Sequence, residues 1–400
     1  MEELRTPSPD GVAPDPGEAT RIPALLAGYG AFGGYWGAWV ILVAELDRDH
    51  GLSYGATGLL LALLSVVAVL VMAFGTPRLT RFPLGALVAA SLMTLGVGAI
   101  AMALLPTGVL WVAFVLVGVG NALIDVFLNV EAQRVEMATG QPVLQWLHAS
   151  YAAGGVVGAL IGGIVVTAGV DYRTGIALTG FVLFLTAFWN ARRGSIVRGS
   201  SEEETPTFSL SAFRRHPALW VPALVVLFAF LVEGSMDTWS GLYLRDELGA
   251  SALTAAVAFA AFSASLFLGR LFAGGVLFGK GRRTTILISG TGAAIGGVIA
   301  ALTQNVGVAA AAFLLMGFAI SSAAPAAFGL VDGAAPGDQA NGIAAVTTVG
   351  YSGFVWSPPI FGWIAQTVDL RAAMAVIVLS TLGIIGAGFA APRVRVPASR

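Results

Sequence analysis

Asn121, Asp125 and Asn129 recur every four residues inside an otherwise apolar stretch. That spacing sets three polar side chains on one stripe of a helix. A carboxyl group in such a place must be paired or protonated, so Asp125 is a candidate to take up and release a proton. The two amides suit hydrogen bonding to a polar solute; the alternative for them is helix–helix bonding within a bundle. Glu233 and Asp237 stand four residues apart in a second apolar stretch. Neighbouring carboxylates oppose each other's ionisation, which lets the pair load and release protons. The competing reading ties Asp237 to Arg245. His148 opens a third apolar stretch. Its imidazole titrates near neutral pH, and it is expected either to couple to Asp125 or Asn129 or to rest as a hydrogen-bonded interfacial group.

Aromatic side chains gather near these positions: Tyr29, Phe32, Tyr35, Trp36 and Trp39, then Trp146 and Tyr151, then Trp239. Rings lining a cavity can stack on a sugar or a planar solute, whereas rings at a bilayer edge form an interfacial belt. Trp36 follows Tyr29 by seven residues and shares its helical face. The expected solute-binding set is Asn121, Asn129, Trp36, Tyr29, Tyr151 and Trp239; the proton-coupling set is Asp125, Glu233, Asp237 and His148.

The elements that must hold these residues are membrane spans. Hydrophobic residues make up 57% of the 400-residue chain and charged residues 11%, far below the ~25% of a soluble domain. The apolar runs approach twenty residues, the length of helix that crosses a hydrocarbon core. They are continuous rather than alternating, which favours helices over a barrel. Twelve spans are expected: 22–45, 54–76, 84–105, 108–130, 143–168 and 174–191, then 218–242, 252–275, 284–304, 307–331, 341–367 and 370–391. Residues 1–20 are rich in Pro, Gly and acids and read as a disordered tail; they lack the pattern of a signal peptide. Residues 192–217 read as a solvated linker between a first bundle at 21–191 and a second at 218–391, with 392–400 as a second tail.

With the N-terminus placed in the cytoplasm, 17 of the 21 basic residues fall on the inner side, Arg270 among them, and only Arg48, Arg173, Arg245 and Arg371 on the outer. This bias predicts an inner-membrane protein with both termini cytoplasmic. The halves also repeat at an offset near 200. Leu46-Asp47-Arg48-Asp49 answers Leu244-Arg245-Asp246-Glu247, Trp39 answers Trp239, and Tyr151 and Gly162 answer Tyr351 and Gly362. Parallel six-span repeats place a binding site at the midplane between them.

The chain has no cysteine and a net charge of −1, which removes thiol chemistry and gives no electrostatic reason to expect nucleic acid. There is no HExxH, P-loop or G-x-S-x-G sequence, and Gly290, Gly292 and Gly296 lie in an apolar span with no strand before them. No enzyme activity, metal or cofactor is expected. Gly154, Gly158 and Gly162 form a small-residue stripe that lets helices approach closely.

Over its whole length the chain resembles the major facilitator superfamily, and within it the fucose-permease-like branch, especially the YbjJ-type proteins. The residues that carry the resemblance are Asp125-Val126-Phe127-Leu128-Asn129, Val135-Glu136, Gly140-Gln141-Pro142, His148 and Gly154-Gly155. In the second half they are Glu233-Gly234, Asp237-Thr238-Trp239-Ser240, Gly269-Arg270-Leu271, Tyr351, Pro358-Pro359 and Gly362. The resemblance implies an all-α membrane protein of twelve transmembrane helices in two pseudo-symmetric six-helix bundles, with a cavity lined by spans 1, 4, 7 and 10. It implies proton-coupled, alternating-access transport of a small polar, sugar-like solute by a monomer. The chain departs from the family where Gly75 to Phe82 carries no Asp, and again at Gly274-Gly275. A drug or metabolite efflux antiporter is the second reading, because Gly154-x3-Gly158-Ala159-x2-Gly162-Gly163 resembles the antiporter motif with Ala159 in place of its Pro. A non-transporting receptor or scaffold is the third.

Overall fold

The computed structural model describes residues 16–194, 211–276 and 281–392. The expected tail at 1–15, the centre of the linker, Lys280 and residues 393–400 lie outside the described residues. Among the described residues there are twelve long helices: α1 (Ile22–His50), α2 (Tyr54–Leu79), α3 (Leu84–Leu104), α4 (Trp111–Thr139), α5 (Val143–Thr167), α6 (Tyr172–Arg193), α7 (Pro217–Glu247), α8 (Ala252–Val276), α9 (Arg282–Leu302), α10 (Val306–Ala334), α11 (Gln339–Thr367) and α12 (Leu370–Ala390). All but α11 are long and apolar enough by composition to cross a membrane. Helix α11 has the length, 29 residues, but spends part of it on polar side chains and on Pro358 and Pro359. Outward positions carry exposed Leu59, Met93, Phe181, Leu185, Ile295 and Leu379, an apolar surface suited to lipid and not to water.

Local chemistry sets the helix ends. Ser53 caps α2 by accepting from the Ala56 amide at 3.3 Å, and Asp171 and Asp369 cap α6 and the start of α12 in the same way. Gly51 closes α1 at φ 61° and Gly140 closes α4 at φ 69°, a backbone region that favours glycine.

Several helices outrun their expected lengths. Helix α4 continues nine residues past 130, so Glu131 and Arg134 belong to it. Helix α1 reaches His50, which brings Glu45, Asp47 and Arg48 into the bundle. Helix α10 breaks at the buried Ser321-Ser322 and resumes at Ala323. The described ends of the expected tail and linker are helical. Pro16–Ala19 is helical, and Glu18 receives a 2.7 Å bond from Arg134. Ser211–Arg215 is helical, with Phe213 buried and stacked on Trp220 at 4.3 Å.

Helices α1 to α6 form one bundle and α7 to α12 the other; they meet along α2–α11, α5–α8 and α1–α7. The tightest contact within a half joins α1 to α5. A Cβ on Gly33 would stand 2.0 Å from the Tyr151 carbonyl oxygen, one on Gly37 1.9 Å from that of Gly155, one on Gly154 1.9 Å from that of Gly30, and one on Gly158 2.0 Å from that of Gly34. The glycine stripe is therefore a structural seam, and Gly163, one step round, packs instead on Leu253 and Ala256 of α8.

At the end of the bundle that carries Arg21, each half has its own ionic tie. In the first, Glu131 is buried and bonded to Arg21 at 3.2 Å and Arg134 at 3.0 Å. In the second, Asp338 sits 3.0 Å from Arg215 and 3.4 Å from His216. A hydrogen bond from Asn341, together with Arg215 and His216 beside it, holds its carboxyl below the usual carboxylate range. The other end carries a repeated tie: Asp49 with Arg173, and Glu247 with Arg371 at 3.0 Å, each 198 positions from its counterpart.

Gly158→Leu should drive a side chain into the α1 backbone and destabilise the fold by about 1–3 kcal/mol or more. Gly386→Ala, where a Cβ meets nothing within 4 Å, should leave stability unchanged. Thermal unfolding of the two variants in detergent checks this.

Candidate functional site

Helices α1, α4 and α5 bring the first group of polar residues together. The Tyr29 hydroxyl donates to Asp125 Oδ1 at 3.4 Å and accepts from Asn129 Nδ2, also at 3.4 Å. Asn129 Nδ2 donates as well to the Asp125 main-chain oxygen at 2.6 Å. A directed chain results, from amide to phenol to carboxyl. One turn along the stripe, Trp36 Nε1 donates to Asn121 Oδ1 at 3.1 Å. The i, i+4, i+8 stripe thus faces α1, and the two α1 aromatics expected on one face are its partners.

His148 reaches this cluster through Tyr29. Its ring stands edge-on to the Tyr29 ring at 5.5 Å, and Tyr29 contacts both Asp125 and Asn129. Tyr151 packs on Tyr29 at 5.5 Å and on Phe32 at 5.2 Å. These four rings wall one side of the carboxyl group.

The second half supplies the opposite wall. Tyr351 of α11 lies within electrostatic reach of Asp125 and packs on Phe230 at 5.4 Å; Phe354 stacks near Phe230 at 4.7 Å. Asp237 of α7 lies within reach of Tyr151 across the divide and of Glu233 and Arg270 on its own side. His148 is likewise within reach of Arg270.

Glu233 does not stand as half of an isolated acid pair. The Arg270 Nη2 bonds its two carboxylate oxygens at 3.1 and 3.3 Å. Arg270 belongs to the interior of α8 rather than to a loop, and its side chain stays 48% exposed while Glu233 is nearly buried. A charged group inside a span is costly against lipid and is a functional candidate. Asp237 does not pair with Arg245 either: that guanidinium crosses to Glu45 and to the Ile41 carbonyl oxygen of the first half. Asp237 is left facing the divide with a carboxyl group for which no bonded partner is seen among the described residues.

Trp239 stands apart from this group. It is buried, stacked on Phe361 at 5.2 Å and close to Tyr54, at the end where the halves touch. Sequence reasoning gave no site role to Arg270, Tyr351, Phe230 and Phe354. Arg270 falls inside the expected span 252–275 but was counted with the inner-side basic residues, ahead of Lys280, Arg282 and Arg283. Tyr351 stood only as the repeat partner of Tyr151 and among the residues that carry the family resemblance.

Two six-helix halves with acids, a guanidinium and aromatic rings facing each other between them define a multi-pass membrane protein of the transporter class. A family model described as Major Facilitator Superfamily matches residues 24–358 and again 243–399. The chain belongs to the Major Facilitator Superfamily. It is 29% identical over 383 residues to an uncharacterized MFS-type transporter of Yersinia pestis, covering 94% of this chain and 95% of that one. Among solved structures it is similar to a bacterial homolog of the human lysosomal transporter Spinster in an inward-facing, unoccupied conformation. The TM-score is 0.76 at 15% identity, covering 95% and 98% of the two chains. The nucleoside transporter NupG is similar too, with a TM-score of 0.71 at 11% identity over 94% and 98%. At such identities the likeness is one of fold.

Glu233→Gln and Arg270→Gln should each lower thermal stability, and the double variant should lose less than the sum of the two. Their coupling should be about 1 kcal/mol, small because Arg270 is half exposed. A double-mutant cycle on melting temperature reads it.

Proposed function

We propose that the protein is a proton-coupled secondary transporter that moves a small polar solute by alternating access. The observation that carries this reading is the convergence of Asp125 from one half with Asp237, and the Glu233–Arg270 pair, from the other. Carboxyl groups within spans need a purpose because lipid and protein interior disfavour their charge. Here they border the divide between two halves that can rock against each other.

In this reading Asp125 holds the transported proton. Tyr29 and Asn129 orient its carboxyl, and His148 lies one ring away to exchange protons with water at the Arg21 end. Asp237 and Glu233 compete for Arg270: when Asp237 is charged the guanidinium has two acceptors, and when it is neutral Arg270 stays with Glu233. Trp36, Asn121, Tyr151 and Tyr351 offer ring faces and amide groups to the solute. The walls suit a ring-bearing polar molecule, such as a sugar-like compound or a nucleoside, since aromatic faces stack on apolar ring surfaces and the amides bond hydroxyls. The residues shared with the fucose-permease-like and YbjJ-type proteins support the same class of solute.

The positive bias of the loops supports a cytoplasmic Arg21 end and an inner-membrane location. Among the described residues the ion pairs that join the halves, Arg48–Asp246 and Arg245–Glu45, lie at the other end, which supports a state shut to the outside. A drug or metabolite efflux antiporter is the second reading; in its motif-like stretch Gly154 and Gly158 pack on α1 and Gly163 on α8.

Reconstituted protein should accumulate its solute under an inward proton gradient. Asp125→Asn should abolish gradient-driven accumulation while retaining solute binding, and Glu233→Gln should do the same. The solute is found first by a thermal-shift screen of sugars, nucleosides, amino acids and cationic drugs at two pH values. Undiminished concentrative uptake in both variants would sink the proton-coupling assignment.

A further inference from the structure

The end of the bundle at which the halves meet holds an unbalanced set of charges. Arg48 donates to Glu45 of its own helix and to Asp246 of α7. Arg245 of α7 reaches back to Glu45 and to the Ile41 carbonyl oxygen. Two cations and two anions are thereby cross-linked between the halves. Asp47 is a third acid in the same place; Arg48 is within electrostatic reach of it, but Asp47 makes no ion pair among the described residues. It is 6% exposed. Thr57 donates to its Oδ1 at 2.8 Å, while its Oδ2 is buried and finds no hydrogen-bond partner among the described residues.

Asp47 also lines a cavity of about 430 Å³ with Arg48, Ser53, Tyr54, Asp246 and Gln366. The cavity therefore draws its walls from both halves: α1 and α2 on one side, α7 and α11 on the other. The groups facing Asp47 can be named element by element. Helix α1 gives Glu45, Arg48, Asp49 and His50, of which Asp49 is held by Arg173. Helix α2 gives Tyr54, whose hydroxyl donates to Asp246 at 3.3 Å. Helix α7 gives Arg245 and Asp246. Helix α11 gives Ala365 and Gln366, which carry no charge.

A bare carboxylate oxygen shut away from water and from every donor is costly, and a neutral carboxyl is much less so. A metal cation would need more oxygen ligands than one Asp oxygen and one Thr hydroxyl supply. We propose that Asp47 is a proton-binding site of the gate at the Arg48 end: it is protonated while the halves are shut there, and it gives the proton to the cavity as they part. The site is separate from Asp125. The proposal rests on the halves moving against each other, as the transport reading has it, but not on any role of the central carboxyl groups.

Opening then depends on pH by a definite sign. Shutting the gate takes up one proton, so acid favours the shut form and alkali the open one. Asparagine at the position imitates the neutral acid and should keep the gate shut at every pH. Removing the Thr57 hydroxyl takes away the one donor that favours the charged carboxylate. Thr57→Val should thus move the midpoint of opening to higher pH.

The chain's lack of cysteine makes the test direct. Val170 and Val368 are exposed at this end, one in each half. Val170→Cys and Val368→Cys together take spin labels, and pulsed electron resonance reads the distance between them from pH 5 to 9, without solute or gradient. The labelled protein should pass from the short to the long distance as pH rises, by one proton. With Asp47→Asn added it should stay short, and with Thr57→Val added it should shift its midpoint upward. A pH response that survives Asp47→Asn unchanged overturns the proposal, as does a distance that never varies with pH. So does a distance that follows sodium against choline at fixed pH rather than protons. Because no transport is measured, failure here is distinct from failure of the central site, which the uptake assay reads.

Discussion

Every ionised group inside this bundle must be compensated by a neighbour, because neither lipid nor packed protein can solvate it. That requirement explains where the helices cross. Glu131 is buried at the foot of α4 only because Arg21 and Arg134 close on it. Glu233 is held within α7 by a guanidinium from α8. Asp49 and Glu247 each draw an arginine from the last helix of their own half. These ties join separate helices, so the charges act as rivets between apolar rods whose surfaces alone would specify little.

Compensation is incomplete at two levels along the divide between the halves. Midway, Asp125 has hydroxyl and amide company but no cation, and Asp237 has no bonded partner among the described residues. At the Arg48 end, Asp47 is the odd acid in a set otherwise balanced. Both are places where a proton can substitute for a missing counter-charge. A moving boundary is the one location at which such an imbalance is useful, since the partners of an acid there change as the halves part.

The packing of α1 on α5 shows the same boundary from the side of sterics. Carbonyl oxygens occupy the places that Cβ atoms would take, so these two helices move as one body. That body carries Tyr29, Phe32, Trp36, His148 and Tyr151, and its far side abuts α8 through Gly163. The aromatic wall is thus mounted on a rigid pair, while Arg270 and Asp237 ride on the other half.

The membrane setting, the helices and the internal repeat were legible in the sequence, because twenty-residue apolar runs, loop charges and a 198–200 residue offset are local or periodic features. The stripe of Asn121, Asp125 and Asn129 was legible for the same reason: residues four apart must share a face. Ion pairing was not. Glu233 lies beside Asp237 in sequence yet bonds Arg270, and Arg245 passes over Asp237 to reach Glu45. Which cation meets which acid depends on helix crossings set by glycine seams and by the way two halves close, and no window of sequence contains both partners. Sequence alone therefore determined that a few acids must sit inside a bilayer-spanning repeat. The tertiary structure decided which of them are neutralised by arginine and which are left without one, since only the packed helices bring charges 37 to 200 residues apart to within bonding distance.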